Sequence, residues 1–288
     1  MRPHSFNLGN NSPRIDSRDI HLGKAQAPTI IPDVFMQDNV WALPIFYQRQ
    51  TPSCGAHAVT WLKMLLDSYD DTSGHTMQTP RFTWNRIRSL DGLTANEGSY
   101  FHTIFDVLRK YGTCDIDLLD NNTNLGNYEY AFPRITDTML ANAQPKILNT
   151  YALDPRPSFD QIKQAIYKNK AVVLLMEVDD TWWTSTTGVP SWAEADILPL
   201  RPLTRVTSRH YVVAHSYDVD HIYFANSFSE AWGKKGHGYF KRDYIGNVVQ
   251  MGTGMDIPDE QIRKLLLTKS LLERLVTLYK QLIAFKLK

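Results

Sequence analysis

The sequence predicts an α+β fold, with helices in the first half and strands in the second. Three observations carry this. Behind Cys54, apolar residues recur at helical spacing, with Leu62, Leu65 and Leu66 on one stripe. Ala171 to Val178 is a nearly unbroken apolar run, partly β-branched and of strand length. After it, His210 to Tyr217, Ile222 to Asn226 and Gly238 to Phe240 read as strands divided by turn residues. Helices and strands that segregate along the chain indicate α+β rather than an alternating parallel sheet.

Residues 1–40, rich in Asn, Pro, Ser and Asp, read as an extended N-terminal arm in which Asp16-Ser17-Arg18-Asp19 supplies either anchoring or solvated charges. Trp41 to Tyr47 is a short apolar lead-in. Pro52 and Ser53 are start signals for a helix over Ala56 to Ser68. A second helix is expected over Thr83 to Leu90 and a turn at Asn96 to Tyr100. A third follows over Phe101 to Lys110, stopped by Tyr111-Gly112. Leu118 to Pro133 is loop-rich, and Pro157 to Asn169 reads as the helix that feeds the Ala171 strand.

The segment 257–288 differs in kind. Proline and acids at Pro258-Asp259-Glu260 open a helix. Leu271, Leu275, Leu278, Leu282 and Phe285 then form a coiled-coil-like stripe with a basic excess around it. The expected organisation is an arm over 1–40, a folded body over 41–250 and a C-terminal amphipathic helix over 257–288. That helix packs on its own domain or serves self-association or docking to an assembly partner.

Bulk properties exclude several classes. The 288 residues carry a net charge of +1, with 43% hydrophobic and 21% charged residues, so nothing points to nucleic acid. Two cysteines, Cys54 and Cys114, make no disulfide framework. No signal peptide and no membrane-spanning run is visible, and membrane association is not expected; the cytoplasm or a virion is the expected location. No zinc-ligand spacing and no glycine-rich phosphate loop occurs, so neither metal nor cofactor is expected.

The chemistry sits in three separated segments. Cys54 stands at a helix start, six residues after Gln48; His210 and Asn226 follow on later strands. A free thiol titrates near 8.5, and a helix N-terminus with a neighbouring imidazolium lowers that and supplies thiolate. His210 is then the base and Asn226 the side chain that orients its ring. Gln48 and the Cys54 backbone N–H are the oxyanion donors; losing one such donor typically costs about 3–4 kcal/mol. His215 lies on the same strand as His210 but on the opposite face, so only one of them meets a cleft.

This constellation, with Asn226-Ser227, Trp232-Gly233 and Gly238-Tyr239-Phe240, resembles the papain-like cysteine peptidases of family C1. Glu97-Gly98-Ser99-Tyr100, the helix ending at Lys110 to Cys114, and Ser158 to Lys163 ahead of Ala171 are similar to the bacterial and phage branch, which lacks the usual prosegment. The resemblance spans roughly residues 13–246. It implies a two-lobed fold, with a helical left lobe, an antiparallel β-barrel-like right lobe and a cleft between them. It implies a cysteine endopeptidase or related acyl-transfer hydrolase acting through Cys54, His210 and Asn226 and a thioester. Gly98 and Ser99 would pair with an extended peptide. Arg209, Phe228 and Trp232 would border the substrate, Trp232 shielding the Asn226–His210 bond.

The family signature Cys-Gly-Ser-Cys-Trp can be laid on this chain in another register, with Cys54 as a disulfide cysteine and His57 in the nucleophile's place. Gln48 argues against it, because Thr51 then stands where the glutamine belongs. Pro52 replaces a usual glycine, Phe228 replaces a tryptophan, and the Arg209 cation is expected to crowd the cleft. Cys114 and His57 read as packing residues, and Trp182, Trp183 and Trp192 as aromatics that fold back or meet substrate. The competing reading is a catalytically idle papain-like module carried into a larger assembly by its C-terminal helix.

Overall fold

The computed structural model describes residues 30–70, 77–143, 147–179, 182, 198–199 and 208–256. The chain divides into a unit ending at Met255 and a second, Asp256–Lys288. The helix expected over 257–288, the arm up to residue 29, Trp183 and Trp192 lie outside the described residues.

Helix α1 (Cys54–Asp70) is the axis of the helical half. Every residue from Cys54 to Leu66 is buried, which suits a helix packed on all sides. Two of its polar members are paired: Thr60 Oγ1 lies 2.7 Å from Thr83 Oγ1, and Lys63 Nζ donates to Asp67 Oδ2 at 2.7 Å. Around it stand α2 (Pro80–Asp91), α3 (Phe101–Lys110), α4 (Asn127–Ala131) and α5 (Asp137–Asn142). Helix α2 is longer than the sequence reading at both ends, for reasons of capping. The Thr79 hydroxyl accepts from Arg81 N, Pro80 takes the first turn, and Gly92 closes the helix in the left-handed region at φ 67°.

Helix α2 also carries the bond set that fixes the turn over 94–98. The buried Arg88 guanidinium donates to the carbonyls of Thr94 (2.8 Å), Glu97 (3.1 Å) and Gly98 (2.8 Å) and to Asp91 Oδ2 (2.6 Å). It lies 4.0 Å from the Trp84 ring centroid. Burial lowers the Arg88 pKa and raises that of Asp91, so the carbonyl bonds are needed to offset desolvation. Arg88→Met is expected to cost about 3–5 kcal/mol in urea unfolding, since it strands Asp91 and three carbonyls. A loss under about 1 kcal/mol would show that the turn holds itself.

The second half is a seven-stranded sheet in the order β1-β7-β2-β4-β5-β6-β3. Its strands are β1 (Ile147–Pro155), β2 (Val172–Val178), β3 (Leu198–Pro199), β4 (Ser208–Tyr217), β5 (His221–Ala225), β6 (His237–Lys241) and β7 (Val248–Asp256). Strand β2 pairs antiparallel with β4 and β7, β5 with β4 and β6, while the short β3 runs parallel to β6. Helix α6 (Phe159–Asn169) opens with a capping box of Ser158 and Gln161.

Both faces of the sheet are covered. Val173, Leu175, Tyr211, Val213 and Ala225 join the core around α1. Leu174, Met176, Val212 and Phe224 pack in a second core with Phe159, Ile162 and Trp182. Double coverage explains why β2 reads as one apolar run without alternation. The arm expected to end at residue 40 is already fixed at Phe35, which exchanges backbone bonds of 2.8 and 2.9 Å with Tyr217. Among the described residues no helix is long and apolar enough to cross a membrane.

Candidate active site

The Gln48 turn is built by its own side chains. Thr51 Oγ1 donates to Gln48 O at 2.6 Å, and Gln48 N donates to Ser227 O at 3.0 Å, tying the turn to the end of β5. The Ser227 hydroxyl donates to Gln48 Oε1, which fixes the amide orientation. Gln48 Nε2 spends one hydrogen on Thr51 O at 3.0 Å; an amide nitrogen has two.

Cys54 is the first residue of α1, and the neighbouring backbone N–H groups of Tyr211 and Gly55 favour its thiolate form. Tyr211 directly follows His210 on β4, so the thiol lies beside the histidine's strand. Gly55 has to be glycine: a Cβ there would stand 2.5 Å from Ser99 Oγ and 2.9 Å from Ile104 Cγ2. The start of α1 is therefore pressed against the Ser99 turn, and Tyr211 Oη donates to Ser99 O at 3.1 Å.

His210 and Asn226 are in contact. His210 Nε2 is 2.7 Å from Asn226 Oδ1, and that oxygen also accepts from Ser227 N at 2.8 Å. A backbone N–H can only donate, so the atom facing it is oxygen and His210 Nε2 is the donor. The proton of the neutral ring is thus on Nε2, and the lone pair is on Nδ1. Nδ1 is buried and has no hydrogen-bond partner among the described residues. The atom left unpaired is the one a thiol base uses.

An aromatic wall surrounds the pair. Phe228 stacks on the His210 ring, with centroids 4.6 Å apart at 27°, and Trp182 meets it edge-on at 6.0 Å. Trp232 stands one layer back, stacked on Trp182 at 6.1 Å, with its Nε1 donating to Trp182 O at 3.1 Å. Phe228 and Trp182 are thus the rings on His210, where the sequence reading gave the shielding to Trp232. Trp182 was legible only as one of a loop cluster, because nothing in its neighbourhood marks it as a partner of β4.

Burial dominates the electrostatics. Cys54 is 3% exposed and His210 0%. Burial pushes the thiol up to about 11 against the pull of the Tyr211 and Gly55 N–H groups, and pulls His210 down to about 4 against its bond to Asn226. The lowering expected from the helix N-terminus is outweighed, because desolvation penalises thiolate and imidazolium alike. Both shifts favour the neutral forms of the two side chains.

Other residues fall as follows. Arg209 faces Glu177 across the β2–β4 register, at 3.6 Å between Nη2 and Oε1, so its cation is answered by a carboxylate rather than left to crowd the cleft. The Gly98 carbonyl is taken by Arg88, as above, and Ser99 is buried behind α1. His215 lies on the other face of β4, against Trp61, with Nε2 3.0 Å from His237 Nδ1. Cys54 and Cys114 are both free, and Cys114 packs with Phe82, Met139 and Ala143. His57 is buried, its Nδ1 3.0 Å from Ser53 O.

No protein-family profile matches the sequence, and no curated protein matches it. Solved structures do. Xylellain, a cysteine protease from Xylella fastidiosa, superposes with a TM-score of 0.72 at 16% identity, over 89% of this chain and 99% of that one. The fold is that of the papain-like cysteine proteases. A structure of the mite allergens Blo t 1 and Der p 1 matches with a TM-score of 0.65 at 14% identity, over 87% of this chain and 80% of that one. Digestive procathepsin L 3 of Tenebrio molitor gives 0.64 at 13%, over 87% and 76%. In this chain contacts join His210 to Asn226 and Gln48 to Ser227, while among the described residues no hydrogen bond joins Cys54 Sγ to His210 Nδ1.

Proposed function

We propose that the chain is a papain-like cysteine peptidase acting by acyl transfer. The observation that carries this is the tautomer of His210: Asn226, fixed by the Ser227 N–H, holds the proton on Nε2 and leaves Nδ1 to act as base. Nδ1 takes the Cys54 proton, and the thiolate attacks the carbonyl carbon of an extended peptide. The tetrahedral oxyanion accepts from the second Gln48 Nε2 hydrogen and the Cys54 N–H. Nδ1–H then passes its proton to the leaving amine, and a thioester remains. Water, deprotonated by Nδ1, attacks the thioester; the carboxylic acid leaves and the thiol is restored. Transpeptidation would use an amine in place of that water.

Labelling with an epoxide or iodoacetamide probe, mapped by mass spectrometry, tests this. Cys54 is expected to react fast in the native protein, while Cys114 reacts only on unfolding. Equal, slow labelling of both would reject the peptidase. It would favour the second reading, a structural or binding module, for which the burial of Cys54 and its raised pKa speak.

A further inference from the structure

Between α1 and strands β4 and β5 lies a cavity of about 20 Å³, room for one water molecule. His57, Trp61 and Asn226 line it, together with Tyr211, Ser227 and apolar side chains such as Ile45 and Phe46. Each of the first three is more than nine-tenths buried, and each has one polar atom with no partner among the described residues: His57 Nε2, Trp61 Nε1 and Asn226 Nδ2.

Their bonding characters complement one another. Ser53 O can only accept, and the Ser53 hydroxyl 3.2 Å from the same nitrogen gives its hydrogen to Thr51 Oγ1, which donates on to Gln48 O; His57 Nδ1 therefore carries the hydrogen and Nε2 is an acceptor. Trp61 Nε1 is a donor. Asn226 Nδ2 is also a donor, since its partner atom Oδ1 is fixed as oxygen by the Ser227 N–H. One water within reach of all three would satisfy them, accepting from Trp61 and Asn226 and donating to His57.

We propose that this cavity is a built water site, and that His57 acts through its water to hold the Asn226 amide, making His57 a positioning residue for His210. The inference rests on the reading of His210 and Asn226 as the catalytic pair. A bare side-chain amide can rotate about its last torsion. One anchored at Oδ1 by Ser227 and at Nδ2 by a fixed water cannot, and the His210 ring inherits that rigidity. Burial pulls the His57 pKa down to about 4, which keeps Nε2 an acceptor at neutral pH.

Crystal structures at high resolution of the wild type and of His57→Phe and His57→Gln test the site without reference to activity. The wild type is expected to show a water bonded to all three atoms. His57→Phe should lose it, and His57→Gln, whose Oε1 can accept, should keep it or replace it. A dry cavity in the wild type, or an unchanged water in His57→Phe, overturns the proposal. Kinetics supply the second arm. His57→Phe is expected to lower kcat about tenfold with KM unchanged, the size of effect when the outer partner of an orienting group is lost. It should also shift the pH profile of Cys54 alkylation, and His57→Gln should restore both. Fast labelling of Cys54 with superimposable wild-type and His57→Phe profiles rejects the positioning role while leaving the peptidase reading intact. Slow wild-type labelling rejects the peptidase reading, and the positioning role with it, whatever the cavity holds.

Discussion

His210→Ala is expected to lower peptide hydrolysis and Cys54 alkylation at neutral pH by a factor on the order of 10³–10⁴. The magnitude follows from the thiol's surroundings. With burial holding the thiol at about 11, the standing thiolate fraction at pH 7 is about one part in 10⁴, so attack needs the proton removed as it proceeds. The N–H groups of Tyr211 and Gly55 favour thiolate, but they are already counted in that value. The remaining activation has to come from a proton acceptor, and His210 Nδ1 is the lone pair that Asn226 leaves available. In the variant, alkylation should rise tenfold per pH unit towards pH 11, as for an unassisted buried thiol, whereas the wild type should reach a plateau far lower. Gln48→Ala separates the roles: it should slow hydrolysis by about 10²–10³ yet leave alkylation by iodoacetamide nearly unchanged, because that reaction develops no carbonyl oxyanion. Wild-type labelling speed in His210→Ala would mean that this imidazole does not activate Cys54.

What the sequence disclosed depended on how local the signal was. The helix behind Cys54, the β2 run and the α6 capping box are written in consecutive residues, so the α+β order was legible. Strand β7 was not, because Gly252 and Gly254 break its apolar pattern, and α5 is too short for periodicity to show. The proposed members of the site were nominated from spacing, Gln48 to Cys54 and His210 to Asn226, and the second pair is in contact. Their surroundings were not. The partner of Arg209 is Glu177, a residue of another strand that comes into register only when β2 pairs with β4. The Arg88 carbonyl clamp, the Trp182 ring on His210 and the burial that reverses the thiol shift likewise exist only after the chain has packed.

Acid should unfold this domain through its histidines before its carboxylates. Burial holds His57 at about 4 and His237 at about 3, and holds His215 well below the ordinary value, with the neighbouring His237 as a further lowering cause. In the unfolded chain each binds a proton near 6.5. The folded pKa values are therefore depressed, and the stability they represent is complete above pH 6.5. It declines as pH falls from 6.5 towards 4 and 3, because only the unfolded state takes up protons across that window. For His57 the loss by pH 4 approaches about 3 kcal/mol, at roughly 1.4 kcal/mol per unit. The bonded pair His215–His237 is enclosed by the Trp41 and Trp61 rings and adds a comparable amount. Together these approach the whole stability of an ordinary domain, about 5–15 kcal/mol. Urea unfolding at pH 7, 6, 5 and 4 should show a midpoint that falls steeply below pH 6, with a shallower fall in His215→Gln/His237→Gln. A midpoint constant from pH 7 to 4.5 would mean that bulk solvent reaches these imidazoles in the folded protein. It would then follow that the closed packing around α1, on which the raised thiol pKa also depends, opens in solution.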